Sequence, residues 1–109
     1  MPDSHEISLS LAAQMTKAYR DADLNNTISS AYSKEAFERL LSQEDCEGIR
    51  CYYAMTTSLS HPENPGRLTL VMVGTDKDGN DMYDRELMEM AIVCPEQCPQ
   101  ENPLNTMLT

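Results

Sequence analysis

Four cysteines are the side chains of this chain best suited to chemistry, and they form two groups: Cys46 with Cys51, and Cys94 with Cys98. Pro95 is favoured at the first position of a helix. We therefore expect Cys94 to begin a short helical turn and Cys98 to lie on the same side one turn later. Two sulfurs placed in this way can hold a metal ion, exchange electrons or serve a purely structural role.

A zinc site is one chemical use of these thiols. Its ligands would be Cys46, Cys94 and Cys98, with Cys51, His5 or His61 as the fourth. Zinc binds sulfur and imidazole ligands tetrahedrally, and structural sites usually contain a C-x2-C pair. The spacings here are C-x4-C and C-x3-C, and no histidine is adjacent to a cysteine. The spacing disfavours zinc and leaves it as an alternative.

Thiol redox chemistry is the second use, and it centres on Cys94 and Cys98. The free amides and the dipole of a helix N-terminus lower the pKa of a thiol placed there. However, Glu96 adds a negative charge, and thioredoxin-like pairs are C-x2-C within a βαβ unit. A structural role for the pair, reduced or bridged, is therefore favoured. Cys51 is expected in the core, on the apolar side of a strand.

The acidic segment 76–87 has some of the oxygen ligands of a calcium loop. Such a loop needs glycine at its sixth position and a bidentate glutamate at its twelfth, where this chain has Asp81 and Leu87. We therefore predict a solvated turn in which Gly79 or Asn80 has a positive φ. The sequence also lacks a Gly-rich phosphate loop, a G-x-S-x-G elbow and an HExxH motif, so an enzyme is disfavoured.

The charge balance narrows the choice of partners. Eighteen acidic residues face eight basic ones, which gives a formal net charge of -10. Nucleic acids and anionic membranes attract Lys- and Arg-rich surfaces, so both are disfavoured as partners, whereas a basic protein suits this chain. The first residues do not resemble a signal peptide, and no apolar run approaches about 20 residues. We therefore expect a cytoplasmic location.

Hydrophobic spacing predicts two helices in the N-terminal half. Residues 8–22 carry apolar side chains three and four positions apart. Residues 23–30 are rich in side chains that compete for backbone hydrogen bonds, which indicates a connector. Ser33 is a suitable N-cap with Glu35 in the first turn, and the second helix is expected to end near Gln43.

Two strands are predicted after the helices. Apolar and other side chains alternate over 48–55, and 67–75 is apolar on both faces. Joined by the loop 56–66, they should form an antiparallel hairpin. Residues 84–93 fit either a third strand or a short helix, of which the helix is favoured, and 94–109 is expected to be an irregular tail.

The expected fold is therefore α+β, with the two helices packed on a small antiparallel sheet. The chain is short enough that 1–109 should form one domain, with poorly ordered ends at 1–7 and 99–109. His61, in a loop between two prolines, is expected to be exposed.

Short motifs occur at Cys46–Ala54, Val73–Asp76, Gly79–Met82 and Cys94–Cys98, followed by Asn102 and Leu104. With these motifs the chain resembles a family of small uncharacterised bacterial proteins over most of residues 9–105. The resemblance directs attention to the three cysteines that match cysteines of that family, which are Cys46, Cys94 and Cys98. The position of Cys51 is usually aliphatic there, and the loop 56–66 is longer here. The family has no established activity, so the resemblance supplies no mechanism.

Two hypotheses follow from these observations. The first is a small acidic protein-interaction module that presents negative charge and a few apolar groups to a basic partner. The second is a metal-binding or thiol-redox module built on Cys46, Cys94 and Cys98.

Overall fold

The computed structural model describes residues 5–24, 27–89, 92–94 and 98–105. This part of the chain has two helices, a three-stranded sheet in the order β2-β3-β4 and a two-stranded sheet of β1 with β5. All strand pairs are antiparallel, so the α+β class is confirmed. The elements are α1 (Leu9–Ala22), β1 (Ser29–Ala31), α2 (Lys34–Leu41), β2 (Gly48–Met55), β3 (Leu68–Thr75), β4 (Leu87–Met88) and β5 (Ile92–Cys94).

Side-chain caps begin both helices. The Ser8 hydroxyl accepts a hydrogen bond from the amide of Leu11, and the Ser33 hydroxyl accepts one from the amide of Ala36. Each bond satisfies an amide that has no partner within its helix. The predicted N-cap at Ser33 is confirmed, and α2 ends at Leu41, two residues before the expected end.

The hairpin of β2 and β3 is the largest paired unit in the described chain. The predicted antiparallel hairpin is confirmed, and its register runs from Gly48 opposite Thr75 to Met55 opposite Leu68. The short helix favoured over 84–93 is wrong, because Leu87 pairs with Val73 in β4. This pairing adds a short strand to the edge of β3 that is not bonded to β2. Met90 and Ala91 lie outside the described residues.

The small sheet of β1 and β5 was not expected from the sequence. Ser29 lies opposite Cys94, and the amide of Ile28 donates to the carbonyl of Cys94 at 2.8 Å. Each strand has three residues, too few for a two-residue period to be recognised. The predicted connector 23–30 therefore contains the start of β1. The ends expected to be poorly ordered lie partly outside the described residues, at 1–4 and 106–109.

The core is small and lies around β3. Met72 and Val73, on opposite faces of this strand, are both buried, which confirms the prediction that β3 is covered on both sides. Leu40 of α2 is fully buried, and α2 contacts the sheet. In α1 Ala13 is buried while Met15 is exposed, so the packing of α1 on the sheet stays a prediction. Neither described helix is long and apolar enough to cross a membrane.

Candidate functional site

The fold joins two of the four cysteines and leaves Cys46 and Cys51 as free thiols. Cys94 and Cys98 form a disulfide with their Cα atoms 4.8 Å apart, which agrees with the expectation that their sulfurs lie together. The helical turn expected between them falls on residues 95–97, outside the described part. Among the described residues, no group of three or more His, Cys, Asp or Glu side chains is arranged to hold a metal ion. Cys46 is thus not brought into a ligand group with the disulfide pair.

Cys46 lies in a tight corner beside β3. Its Sγ donates to the carbonyl of Gly48 at 3.3 Å. A Cβ atom added at Gly74 would be 2.9 Å from that sulfur and 3.1 Å from Nε2 of Gln43. A small side chain and a glycine therefore permit this close approach, which is a structural explanation for both residues.

Cys51 is exposed, and the expectation that it belongs to the core is wrong. It lies opposite Met72, which is only 1% exposed, so both residues are on the same face of the sheet. The difference arises from the strand order. β3 is central and is paired on both sides, whereas β2 is an edge strand.

The outer edge of β2 carries backbone hydrogen-bonding groups that no strand of the described residues pairs with. The amide of Thr56 donates to the carbonyl of Arg67 at 2.7 Å, which fixes the phase of the ladder. Because antiparallel ladders alternate, the even-numbered residues of β2 bond to β3 and the odd-numbered ones point their N–H and C=O groups outward. The outward residues are Ile49, Cys51, Tyr53 and Met55. Within the described ranges, no strand pairs with this edge.

Large side chains accompany these free backbone groups. Tyr53 is 83% exposed and Met55 is 61% exposed. Edge strands are commonly protected by lysine or proline, yet β2 contains neither of these residues. The free edge with its exposed apolar side chains, defined as residues 49–55 and called the β2 edge below, is therefore open to a further strand.

An ion pair holds the β2 edge in place. The guanidinium of Arg50 forms an ion pair with Asp81, and the Tyr52 hydroxyl donates to the same carboxylate. Arg50 also donates to the carbonyl of Gly79 at 3.1 Å. The negative charge of Asp81 raises the pKa of Arg50, and the hydrogen bond to Asp81 raises the pKa of Tyr52. The one cation of β2 is thereby neutralised by its own chain.

Acidic side chains flank the start of β2. Four carboxylates and one ammonium group line a concave surface there: Asp45, Glu47, Asp76, Asp78 and Lys77. In the turn that follows β3, the Asp76 carboxylate accepts from the amides of Asp78 at 2.9 Å and Asn80 at 3.0 Å. Gly79 has a φ of 80°, so the predicted turn is confirmed. These carboxylates give one end of the β2 edge a net negative charge.

The loop that follows β2 is more ordered than its composition suggests. Thr56 is buried; its hydroxyl donates to the carbonyl of Asn64 at 2.7 Å and accepts from the amide of Arg67 at 2.8 Å. The His61 side chain is only 12% exposed and lies 3.7 Å from Glu89, so the expectation of an exposed histidine is wrong. Its Nδ1 faces the hydroxyl of Ser60 at 3.1 Å. Both Ser60 and Glu89 thus meet the same ring nitrogen, which is not the arrangement of a catalytic triad.

Comparison with known proteins adds no relative: no family model, no curated protein and no solved structure matches this chain.

Proposed function

We propose that this protein is a protein-interaction module that binds an extended segment of a basic partner along the β2 edge. The observation that carries the proposal is the row of free backbone groups on β2 beside the exposed side chains of Tyr53 and Met55. An added strand gains main-chain hydrogen bonds from such an edge, and alternate side chains supply specificity.

Charge supports a basic partner. The chain has a net charge of -10, and acidic groups cluster at the start of β2, whereas Arg50 within the strand is paired with Asp81. Opposite charges accelerate encounter and suppress binding of acidic competitors. We place this function in the cytoplasm, and the resemblance to small bacterial proteins, which is carried by sequence alone, is compatible with it.

Substitutions at the β2 edge test the proposal. Met55→Lys places a charge among the exposed side chains, and Cys51→Pro removes an outward N–H without removing a bond of the β2–β3 ladder. Leu59→Lys is the matched control, because Leu59 is exposed in the neighbouring loop. The immobilised protein is incubated with a lysate of its source organism, and the bound proteins are quantified by mass spectrometry.

The expected result is a basic partner whose recovery falls at least about tenfold in both edge variants and is unchanged in Leu59→Lys. Its recovery should also fall as NaCl rises from about 50 to about 300 mM, because salt screens the attraction between charges. Circular dichroism establishes that each variant is folded. Recovery that is equal in the parent and both edge variants would refute the assignment to β2.

A thiol-redox module is the second candidate, favoured by the disulfide between Cys94 and Cys98. Cys94 is buried and Cys98 is exposed, so a small thiol reductant could approach from the Cys98 side. Two electrons and two protons convert the bridge into two thiols. Zinc binding by Cys46, Cys94 and Cys98 requires the reduced form, because zinc binds thiolates.

Alkylation in glutathione buffers of defined potential tests this candidate. Reversible titration of Cys94 and Cys98 near the potential of the cytoplasm would support a redox role. Native mass spectrometry of the reduced protein with added zinc tests the metal alternative, with the Cys46→Ser variant as its control. A bridge that stays oxidised throughout this range, together with no bound zinc, would refute both.

A further inference from the structure

A second concave surface is lined in part by Tyr53, which also belongs to the β2 edge. It is a cavity of about 290 Å³ between α1, the segment 27–30 and the hairpin. Most of its wall is apolar. The residues that line it include Met15, Tyr19, Arg20, Tyr53, Leu68 and Leu70.

Arg20 is the unusual member of this wall. It is half-buried, and its Nη1 donates to the carbonyl of Leu104 at 2.7 Å. No carboxylate within the described ranges forms an ion pair with it, although Lys17, one turn earlier in α1, pairs with Asp21. A guanidinium has five N–H donors, so one carbonyl leaves most of them available.

The lack of an ion pair at Arg20 within the described residues is unusual for a chain with so many acidic side chains. Lys17, Lys34, Arg39 and Arg50 each form an ion pair with an acidic side chain, whereas Arg20 bonds a backbone carbonyl. Arg20 lies in the last turn of α1, where the helix dipole favours a positive charge. The dipole does not, however, satisfy the hydrogen-bond donors of the planar guanidinium group. These donors form a fork that matches the geometry of a carboxylate.

We propose that this cavity binds a small apolar carboxylate. The hydrocarbon part lies against Met15, Leu68 and Leu70, and the carboxylate forms a charge-assisted pair with Arg20. A volume of about 290 Å³ is at the lower end of the range for ligand sites, so it suits one aromatic ring with a short acidic chain. The two sites share Tyr53, but Cys51 and Met55, the residues substituted to test the β2 edge, do not line the cavity, so the two proposals are tested separately.

The probe for this site is 3-phenylpropionate, and its neutral amide is the matched compound. Binding is followed by NMR of the methionine methyl groups, with Met15 assigned through Met15→Leu. We expect a saturable shift of the Met15 methyl signal with the carboxylate and no comparable shift of buried Met72. The amide should bind about tenfold more weakly, since it cannot form the charge-assisted pair.

Variants on α1 distinguish a direct pair between the carboxylate and Arg20 from an effect of the net charge of the helix. Arg20→Gln should weaken binding of the carboxylate about tenfold, whereas Lys17→Gln, which removes the same charge from the same helix, should leave it unchanged. Arg20→Lys keeps the charge and should retain part of the affinity, which guards against a loss caused by unfolding of α1. Circular dichroism is recorded for each variant.

Three results would overturn the proposal. Equal binding of the acid and the amide would refute charge recognition, and the absence of any saturable shift at Met15 would refute the site. A Met15 signal that moves with protein concentration alone, together with a dimer in sedimentation, would show that a second copy of the chain covers the cavity instead.

Discussion

β2 and β3 are neighbouring strands of eight residues that share one ladder, yet they differ sharply in burial. Met72 of β3 is almost completely buried, while its cross-strand partner Cys51 is exposed. Both residues are apolar and lie on the same face. Position in the sheet therefore decides burial here, because a central strand is covered from both sides and an edge strand only where a helix reaches it. The same hairpin supplies the core with one strand and the surface with the other.

The largest expected effect compares these two partners directly. Met72→Ala should lower the free energy of unfolding by about 2–5 kcal/mol, because it leaves a cavity in the core. Cys51→Ala should change it by less than about 0.5 kcal/mol, as is usual for an exposed site. Urea denaturation of both variants measures the difference. Equal losses would mean that Cys51 is covered in solution.

Gly74, on the covered strand, should be nearly as sensitive. Gly74→Ala places a methyl group 2.9 Å from the Cys46 sulfur, which should cost about 1–3 kcal/mol of unfolding free energy. Cys46→Ala removes that sulfur, so the double variant should recover part of the loss. A double-mutant cycle from urea denaturation measures this coupling. Additive losses would contradict the close contact.

Thr56 tests how the exposed strand is held at its end. Thr56→Val leaves the carbonyl of Asn64 and the amide of Arg67 without their hydroxyl partner, at a cost of about 1–2 kcal/mol. Ser58→Ala, at an exposed position of the same loop, is the control. Thermal unfolding compares the two. If the two variants have the same midpoint, the hydroxyl of Thr56 does not anchor the loop.

Alkaline pH should affect the covered strand through Tyr32, whose hydroxyl donates to the carbonyl of Leu70 in β3. Burial, followed by the negative charge of Glu89, raises the pKa of Tyr32 to about 12. Since the folded pKa is above that of the unfolded chain, its contribution to stability is complete below pH 10 and is lost as the pH rises through 12. Ultraviolet titration of parent and Tyr32→Phe should differ by one phenol ionising near pH 12. If the phenol that is absent from Tyr32→Phe ionises near pH 10 in the parent, the raised pKa of Tyr32 is contradicted.

The smallest effect is expected at the acidic turn beside the β2 edge. Millimolar calcium should leave the thermal midpoint unchanged, because the Asp76 carboxylate already accepts two amide hydrogen bonds within its own turn. Differential scanning calorimetry with calcium, and with magnesium as the control, checks this expectation. A saturable rise of several degrees with calcium alone would establish a specific site.

Local signals explain which parts of the fold could be predicted. A capping serine such as Ser33 acts within one turn of its helix. The alternation over 48–55 follows from the two-residue repeat of a strand, so it is visible in the local sequence. The exposure of Cys51 depends on strand order, which is a property of the whole sheet and not of the single strand. The pairing of β1 with β5 is likewise invisible locally, because three residues carry no clear period.

The candidate site was predicted only in its general character. Negative charge and a few exposed apolar groups follow from composition, but their location does not. The β2 edge becomes visible only when the ladder phase set by Thr56 and Arg67 is known. Tyr52 and Tyr53 are adjacent, yet the first bonds to Asp81 and the second faces solvent. The alternation puts Tyr53 on the same side of the strand as Cys51, which is expected in the core, so the sequence pattern does not indicate that Tyr53 is exposed.

The pairing of β1 with β5 also has a consequence during synthesis of the chain. The hairpin of β2 and β3 needs only its connecting loop to close, so it can form early. β1 emerges from the ribosome before the hairpin, but its partner emerges after β4. The segment around β1 must therefore wait without its final hydrogen bonds while the hairpin folds beside it. Slow closure of such distant contacts limits folding rates, which makes the joining of β1 and β5 the expected last step of folding.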